Sequence, residues 1–235
     1  MKKSLYNKNG LFFWLSEAIE LRETFEKRIA AEILRSLRKQ NSAFHSMKVE
    51  APLLTPRELI NKGYTDDQVF AFDDLVLRPE TTMGSFEFAK HILSTYYEIK
   101  ERPPVIIYQH GKSFRREQDQ PSRFMRLKEF YQLEFQIIFS EKTENDYTKA
   151  LYPAVLKTLT ELIGECRLEP SDRLPDYSEE TMDIICIKND MEVCSMSKRK
   201  DLPGYKVIEI AVGTDRLLYN FEQKLNTEKD EDNTI

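Results

Sequence analysis

Between residues 11 and 40 apolar side chains return every three or four positions: Leu15, Ala18, Ile19, Phe25, Ile29, Ile33, Leu34 and Leu37. That period predicts one long amphipathic helix, stopping near Gln40-Asn41-Ser42. From Phe44 to Leu54 the helical period is lost, and Val49 with Ala51-Pro52-Leu53-Leu54 reads as an extended strand. A proline donates no ladder hydrogen bond, so that strand is expected at a sheet edge or at a contact between chains. Thr55 and Glu58 have capping-box spacing for a short helix from Pro56 to Lys62. Phe70 to Leu77 predicts a hairpin. Arg78-Pro79-Glu80-Thr81-Thr82 then opens a helix to about Lys100, which Pro103-Pro104 breaks. Further on, a helix is expected from Asn145 to Cys166 and a polar loop over residues 168–182. Strands follow at Met182–Lys188, Met191–Ser197 and Tyr205–Val212, the first two joined at Asn189-Asp190. A helix from Thr214 to Leu225 closes the pattern, and NTEKDEDNTI reads as a charged, disordered tail. Helices flanking a mainly antiparallel sheet make an α+β domain.

The most informative stretch runs from Gly111 to Phe139. Gln132, Glu134 and Gln136 alternate there with Tyr131, Leu133, Phe135 and Ile137, the period of two that marks a strand. With GKSFRRE before it and a polar loop around Pro121, the stretch predicts an antiparallel hairpin carrying Arg115, Glu117, Arg126 and Glu134. On one strand Arg115 and Glu117 leave the same face. Such a face suits a nucleotide, with guanidinium on phosphate, carboxylate on an exocyclic amine and an aromatic ring on the base. A solvated hairpin with its charges outward is the other reading of the same residues.

Composition narrows the class. At 235 residues, 40% hydrophobic and 32% charged, the chain suits one large globular domain. A net charge of −5 gives no general polyanion-binding signal and leaves room for a local basic patch. A mean hydropathy of −0.55 and short apolar runs exclude a membrane-spanning helix. The N-terminus is basic and then briefly apolar, but Leu11 to Leu15 is too short for a signal peptide and Glu17 and Glu20 follow, so a cytoplasmic protein is expected. Cys166, Cys186 and Cys194 form no Cys-x-x-Cys pair, and with three histidines in the chain neither a disulfide framework nor a zinc site is expected. Cys186 and Cys194 read as small core residues.

Several stretches together resemble the catalytic domain of a class II aminoacyl-tRNA synthetase, nearest in pattern to the glycyl type. The long helix and the strand with Pro52 are similar to the family's dimer-forming motif. Leu77-Arg78-Pro79-Glu80-Thr81 matches the glycyl-type LRPET segment, and GKSFRRE with RLKEFYQLEF resembles GKSFRNE with RxREFxQxE. Glu192 through Arg199 and Asp201 resembles the strand of form E…NRTD, and VIEIAVGTDRLLY is similar to the last motif, with Arg216 opening a helix. The matches cover about residues 10 to 222, so residues 1–222 are expected to be the class II synthetase-like catalytic domain and 223–235 the tail.

The resemblance implies ATP, Mg²⁺ and an amino acid as ligands. Arg115 would hold the α-phosphate and the amino-acid carboxylate, and Glu117 the adenine amino group. Phe130 would stack on the adenine with Arg216 on its other side, near the γ-phosphate, and Arg126 would contact the β- and γ-phosphates. Glu209 would bind Mg²⁺ or the ribose side of ATP. Glu80, Glu134 and Glu192 would line the amino-acid pocket together with Arg199 and Ala211, since carboxylates suit an ammonium group. Each role has a plainer alternative: Arg78 or Glu80 capping a helix, Phe130 as core, Arg216 paired with Asp215 or Glu209 at the surface. Ala211 stands where glycyl enzymes carry a serine that helps recognise the amino acid. Thr82 stands where threonyl enzymes carry a zinc-binding cysteine, so no zinc is expected. The chain stops about one helix after Arg216, where relatives continue into an anticodon-binding domain. The expected function is ATP-dependent amino-acid activation by a homodimer that charges a tRNA acceptor end. The alternatives are a ligase loading a carrier protein, a lysine or a small molecule, or a non-catalytic accessory subunit, for which alone DNA is expected as a partner. Retention of Arg115, Glu117, Arg126 and Arg216 ranks the accessory subunit last.

Overall fold

The computed structural model describes residues 5–8, 11–40, 43–60, 63–95, 104–116 and 126–232. In chain order the elements begin with β1 (Leu5–Lys8), β2 (Leu11–Trp14), α1 (Ser16–Gln40), β3 (His45–Lys48) and β4 (Leu54–Pro56). Next come β5 (Phe70–Phe72), β6 (Leu75–Leu77), α2 (Thr82–Thr95), β7 (Val105–Phe114), β8 (Glu129–Ser140) and α3 (Thr148–Ile163). The chain closes with β9 (Cys166–Pro170), β10 (Ser178–Cys186), β11 (Met191–Arg199), β12 (Tyr205–Gly213) and α4 (Thr214–Asp232). Seven strands form one sheet in the order β3-β7-β8-β12-β11-β10-β9, antiparallel except for the edge pair β3–β7. This is the expected α+β architecture, an antiparallel sheet flanked by helices.

Strand parity divides the sheet. On one side Leu133, Phe135, Ile137 and Phe139 of β8 pack with Ile208, Ile210 and Val212 of β12 against three helices. Those helices contribute Phe25, Ile29 and Ile33 from α1, Leu151, Val155 and Leu159 from α3, and Leu217 and Leu218 from α4. On the other side α2 covers only one end, where Phe86, Ala89 and Ile92 meet Ile107, Ile138 and Val207. The rest of that face, at the β8, β12, β11 and β10 positions opposite the helical core, is left open as a cleft.

Several elements differ from expectation. Leu11–Trp14 is a strand rather than the start of the helix, paired with β1 so that Lys8 opposes Leu11. The Asn9-Gly10 pair is a hairpin signal, and it outweighs the helical period there. Pro52 falls between β3 and β4, outside either ladder, while β3 takes the sheet edge. Thr55 is held in β4 opposite Val76, so the capping box with Glu58 does not form and only a 3₁₀ turn, Arg57–Leu59, follows. A capping box forms instead at Thr65 and Gln68. Gly164, at φ 97°, ends α3 early, and the residues after it make the edge strand β9 in what was expected to be helix and loop. The helix α4 continues to Asp232, into the stretch expected as disordered tail. The predicted end of α2 near Lys100 lies outside the described residues. Among the described residues no helix is long and apolar enough to cross a membrane.

Candidate active site

One buried arginine anchors the segment that leads into α2. Arg78, 3% exposed, donates from Nε to the Lys112 carbonyl (2.8 Å) and from Nη1 to the Ala51 carbonyl (2.8 Å) and Gln109 Oε1 (3.1 Å). Its own carbonyl accepts the Phe114 N–H at 2.9 Å. The segment from Arg78 to Thr82 is thereby strapped across β7. Gly111 makes room for this strap, since a Cβ there would meet Arg78 Nη2 at 2.2 Å. Neither Arg78 nor Gly111 lines the cleft; Arg78 is a brace for Glu80, Thr81 and Thr82, and not the helix cap of the plainer reading.

Those three residues meet the polar face of β8 and β12. In the ladder Glu134 opposes Ala211 and Gln136 opposes Glu209, so all four share one face. Gln136 Nε2 donates to Glu134 Oε1 (2.8 Å) and Glu209 Oε2 (2.7 Å), and Arg199 Nη1 donates to the same Glu209 oxygen (2.8 Å). Thr82 Oγ1 lies 2.7 Å from Glu134 Oε1 and 3.0 Å from Glu209 Oε2. One hydroxyl carries one proton, so both contacts are hydrogen bonds only if a carboxylic acid supplies the second. Glu209 Oε2 already accepts the Arg199 guanidinium, so the acid is assigned to Glu134. Burial, reinforced by the charges of Glu209 and Glu80, pushes the Glu134 carboxyl up to about 8. Burial and Glu209 likewise raise Glu80. Tyr64 donates to Glu80 Oε2 at 2.9 Å, and the other oxygen, Oε1, is buried without a partner.

At the other end of the cleft the chemistry is cationic and aromatic. Arg115 donates from Nε to the Pro79 carbonyl (3.1 Å), and its guanidinium lies 5.2 Å from the Phe130 ring and 5.6 Å from the Tyr64 ring. Phe130 lines the cleft half-buried, so it is not core. Arg126 is exposed at the mouth. Arg216 donates to the Glu192 carbonyl at 2.7 Å and lies 3.6 Å from its carboxylate, rather than pairing with Asp215 or Glu209. Asp215 turns inward and accepts the Tyr131 N–H at 2.6 Å; burial raises its carboxyl to about 7. Simple alternation would send Glu192 to the helix-covered face with Cys194. Instead the β10–β11 register slips by one residue at Val193, and this bulge brings Glu192 to the cleft rim.

The cleft, of about 340 Å³, thus gathers Glu80, Arg115, Arg126, Phe130, Glu134, Glu192, Glu209, Ala211 and Arg216 from six separate segments. Arg199 sits behind it, clamped by Glu209 and by Asp201 (2.6 Å) with the Tyr177 ring 3.9 Å away. Burial alone would weaken that charge, but Glu209 and Asp201 outweigh it and raise the Arg199 pKa. Glu117 lies outside the described residues. Among the described residues no group of three or more His, Cys, Asp or Glu side chains is placed to hold a metal ion. Sequence reasoning missed Tyr64, Gln136 and Tyr177. Gln136 was findable from its parity with Glu134; Tyr64 and Tyr177 come from irregular segments that carry no periodic signal.

No family model matches the chain. Over 128 residues it is 33% identical to the glycine–tRNA ligase of Mycoplasmopsis synoviae (strain 53), covering 52% of this chain and 27% of that protein. Over 113 residues it is 33% identical to the glycine–tRNA ligase of Mycolicibacterium paratuberculosis, covering 46% of this chain and 24% of that one. The matched stretches therefore span about a quarter of these relatives' length. A crystal structure of prolyl-tRNA synthetase from Cryptosporidium parvum, complexed with halofuginone and AMPPNP, superposes with a TM-score of 0.70 at 12% identity. That superposition covers 93% of this chain and 49% of the prolyl enzyme. The fold is the class II synthetase catalytic fold that the sequence motifs resemble.

Proposed function

We propose that this cleft activates an amino acid with ATP and passes it to a tRNA acceptor end. A carboxylate oxygen of the amino acid attacks the α-phosphorus, the bond to the β-phosphate oxygen breaks, and pyrophosphate leaves. A tRNA hydroxyl then attacks the carbonyl carbon of the adenylate, and AMP leaves. The observation that carries this reading is the joining, in one cleft, of a cationic and aromatic end (Arg115, Phe130, Arg216) to an end of buried carboxylates (Glu80, Glu134, Glu209). The first end suits a nucleoside triphosphate and the second an ammonium group. Glu80 Oε1, buried and without a partner, is a vacant acceptor for that ammonium.

Arg115, at the cationic end, also faces the ring of Tyr64, which holds Glu80, so α-phosphate and carboxylate would meet beside it and it would stabilise the charge that grows there. Phe130 and Arg216 flank the base, Arg126 takes the outer phosphates, and Glu117 is assigned the adenine amino group. Glu209 Oε2 already receives Thr82, Gln136 and Arg199, so it fits an anchor of the pocket better than a metal ligand. Mg²⁺ entering with ATP would be held chiefly by the phosphate oxygens and water and would offset the charge on the phosphates. The similarity to glycine–tRNA ligases favours glycine, and Tyr64, Thr82 and Tyr177 line the carboxylate end of the cleft. Ala211 offers a methyl where a hydroxyl would mark that substrate. Exposed Leu11, Phe13, Leu15 and Ile19 form an apolar surface on β2 and the start of α1 that suits a two-fold partner.

The test is exchange of labelled pyrophosphate into ATP with each of the twenty amino acids, without and then with tRNA. Exchange with one amino acid establishes activation and names the substrate. No exchange under either condition, from a protein that binds ATP, moves the assignment to a binding subunit.

A further inference from the structure

His110 lies outside the cleft, yet its ring is 4% exposed and both nitrogens are engaged. On the helix-covered face of β7, Nδ1 is 3.0 Å from Glu26 Oε2 of α1, and Nε2 is 2.9 Å from Thr214 Oγ1, the first residue of α4. Thr214 Oγ1 spends its one proton on the Tyr131 carbonyl at 3.0 Å, so Nε2 must donate to Thr214. One further proton lies between Nδ1 and Glu26, and Glu26 is also paired with Lys48. The neighbour of Thr214, Asp215, accepts the Tyr131 N–H. The first turn of α4 therefore grips both main-chain groups of Tyr131. The residues next to that grip are Phe130 on β8 and Arg216 on α4, and both line the cleft. The Tyr131 ring is boxed in turn by Trp14 (5.2 Å), His110 (5.8 Å) and the Arg22 guanidinium (4.0 Å).

We infer that His110 is a positioning residue: through Thr214 it fixes the first turn of α4 against Tyr131 and so sets the gap between Phe130 and Arg216 that admits the base of ATP. The inference rests on the ATP reading of the cleft. It also distinguishes the two ring nitrogens, because the route to the cleft runs through Nε2. A glutamine amide can supply a donor at the Nε2 position and not at Nδ1; asparagine does the reverse.

The experiment is equilibrium dialysis of labelled ATP against the full chain, without amino acid, for the wild type, His110→Ala, His110→Gln and His110→Asn, with thermal midpoints recorded alongside. The alanine and asparagine variants should weaken ATP roughly tenfold, the effect of losing one well-placed hydrogen bond. The glutamine variant should stay within about twofold of wild type, with a midpoint close to that of the asparagine variant, so that stability alone does not explain the split. Thr214→Ser, which keeps the hydroxyl, and Thr214→Val, which removes it, should split the same way and carry the test if the His110 variants do not fold. Glutamine as weak as asparagine, or every variant binding as wild type does, overturns the inference alone. A wild type that binds no ATP overturns the ATP reading and the inference with it.

Discussion

Leu133, Phe135 and Ile137 point to one side of β8 and Glu134 and Gln136 to the other, and the two sets are equally buried: 0% exposed for the first three, 1% and 0% for the polar pair. Their chemistry is opposite. The apolar set packs against α1, α3 and α4, and each side chain contributes by leaving water. The polar set is buried against Thr82 and Glu209, and its desolvation is offset only in part, since burial raises the Glu134 carboxyl and Gln136 keeps its Oε1 unpaired. A face that binds a charged ligand holds its polar groups dry before the ligand arrives, and stability elsewhere carries that load. In this chain the load falls on the helix-side core and on the Arg78 strap.

The contrast can be broken from either side. Phe135→Ala, which empties the apolar face, should lower stability by about 3–5 kcal/mol by chemical denaturation. Loss of activity should then follow from unfolding alone. Arg115→Ala should leave the fold intact and lower amino-acid-dependent pyrophosphate exchange by roughly 10²–10³, the effect of removing a charge-stabilising donor. Unchanged exchange in that variant would remove the cleft from the chemistry. Glu134→Gln should have the smallest overall effect of the three, a change of stability with reversed sign. The folded wild type holds the Glu134 proton until about pH 8, whereas an unperturbed carboxyl releases it near 4.5, so the wild type loses stability as pH rises through that window. The amide does not titrate and can donate to Thr82 as the protonated acid does. The variant should therefore melt a few degrees above wild type at pH 8 and match it below pH 4.5. A variant less stable than wild type at pH 8 would show that Glu134 is ionised in the apo protein.

Much of this was legible along the chain where a period existed. The alternation from Tyr131 to Phe139 gave both the strand and the separation of Glu134 and Gln136 from the core, and the spacing in α1 gave its buried stripe. Glu134, Glu209 and Ala211 share one face of two paired strands, as their parity requires, and Glu80, Arg115 and Arg216 stand at or beside element ends next to that face. What escaped has no local signal. His110 meets Glu26 and Thr214, 84 and 104 positions away in sequence. Tyr64 and Tyr177 reach the pocket from turns, and Glu192 reaches it only because a bulge breaks the alternation. Gly111 reads in sequence as part of a nucleotide motif, yet the structure gives it a steric reason, the approach of Arg78.

The most direct measurement is a single turnover with α-labelled ATP, glycine and excess protein, without tRNA, followed by separation of adenylate, AMP and ATP. Glycyl adenylate that accumulates on the wild type, and fails to form on the Arg115→Ala variant, is the predicted result. A wild type that binds ATP and forms no adenylate with glycine or any other amino acid would contradict the account.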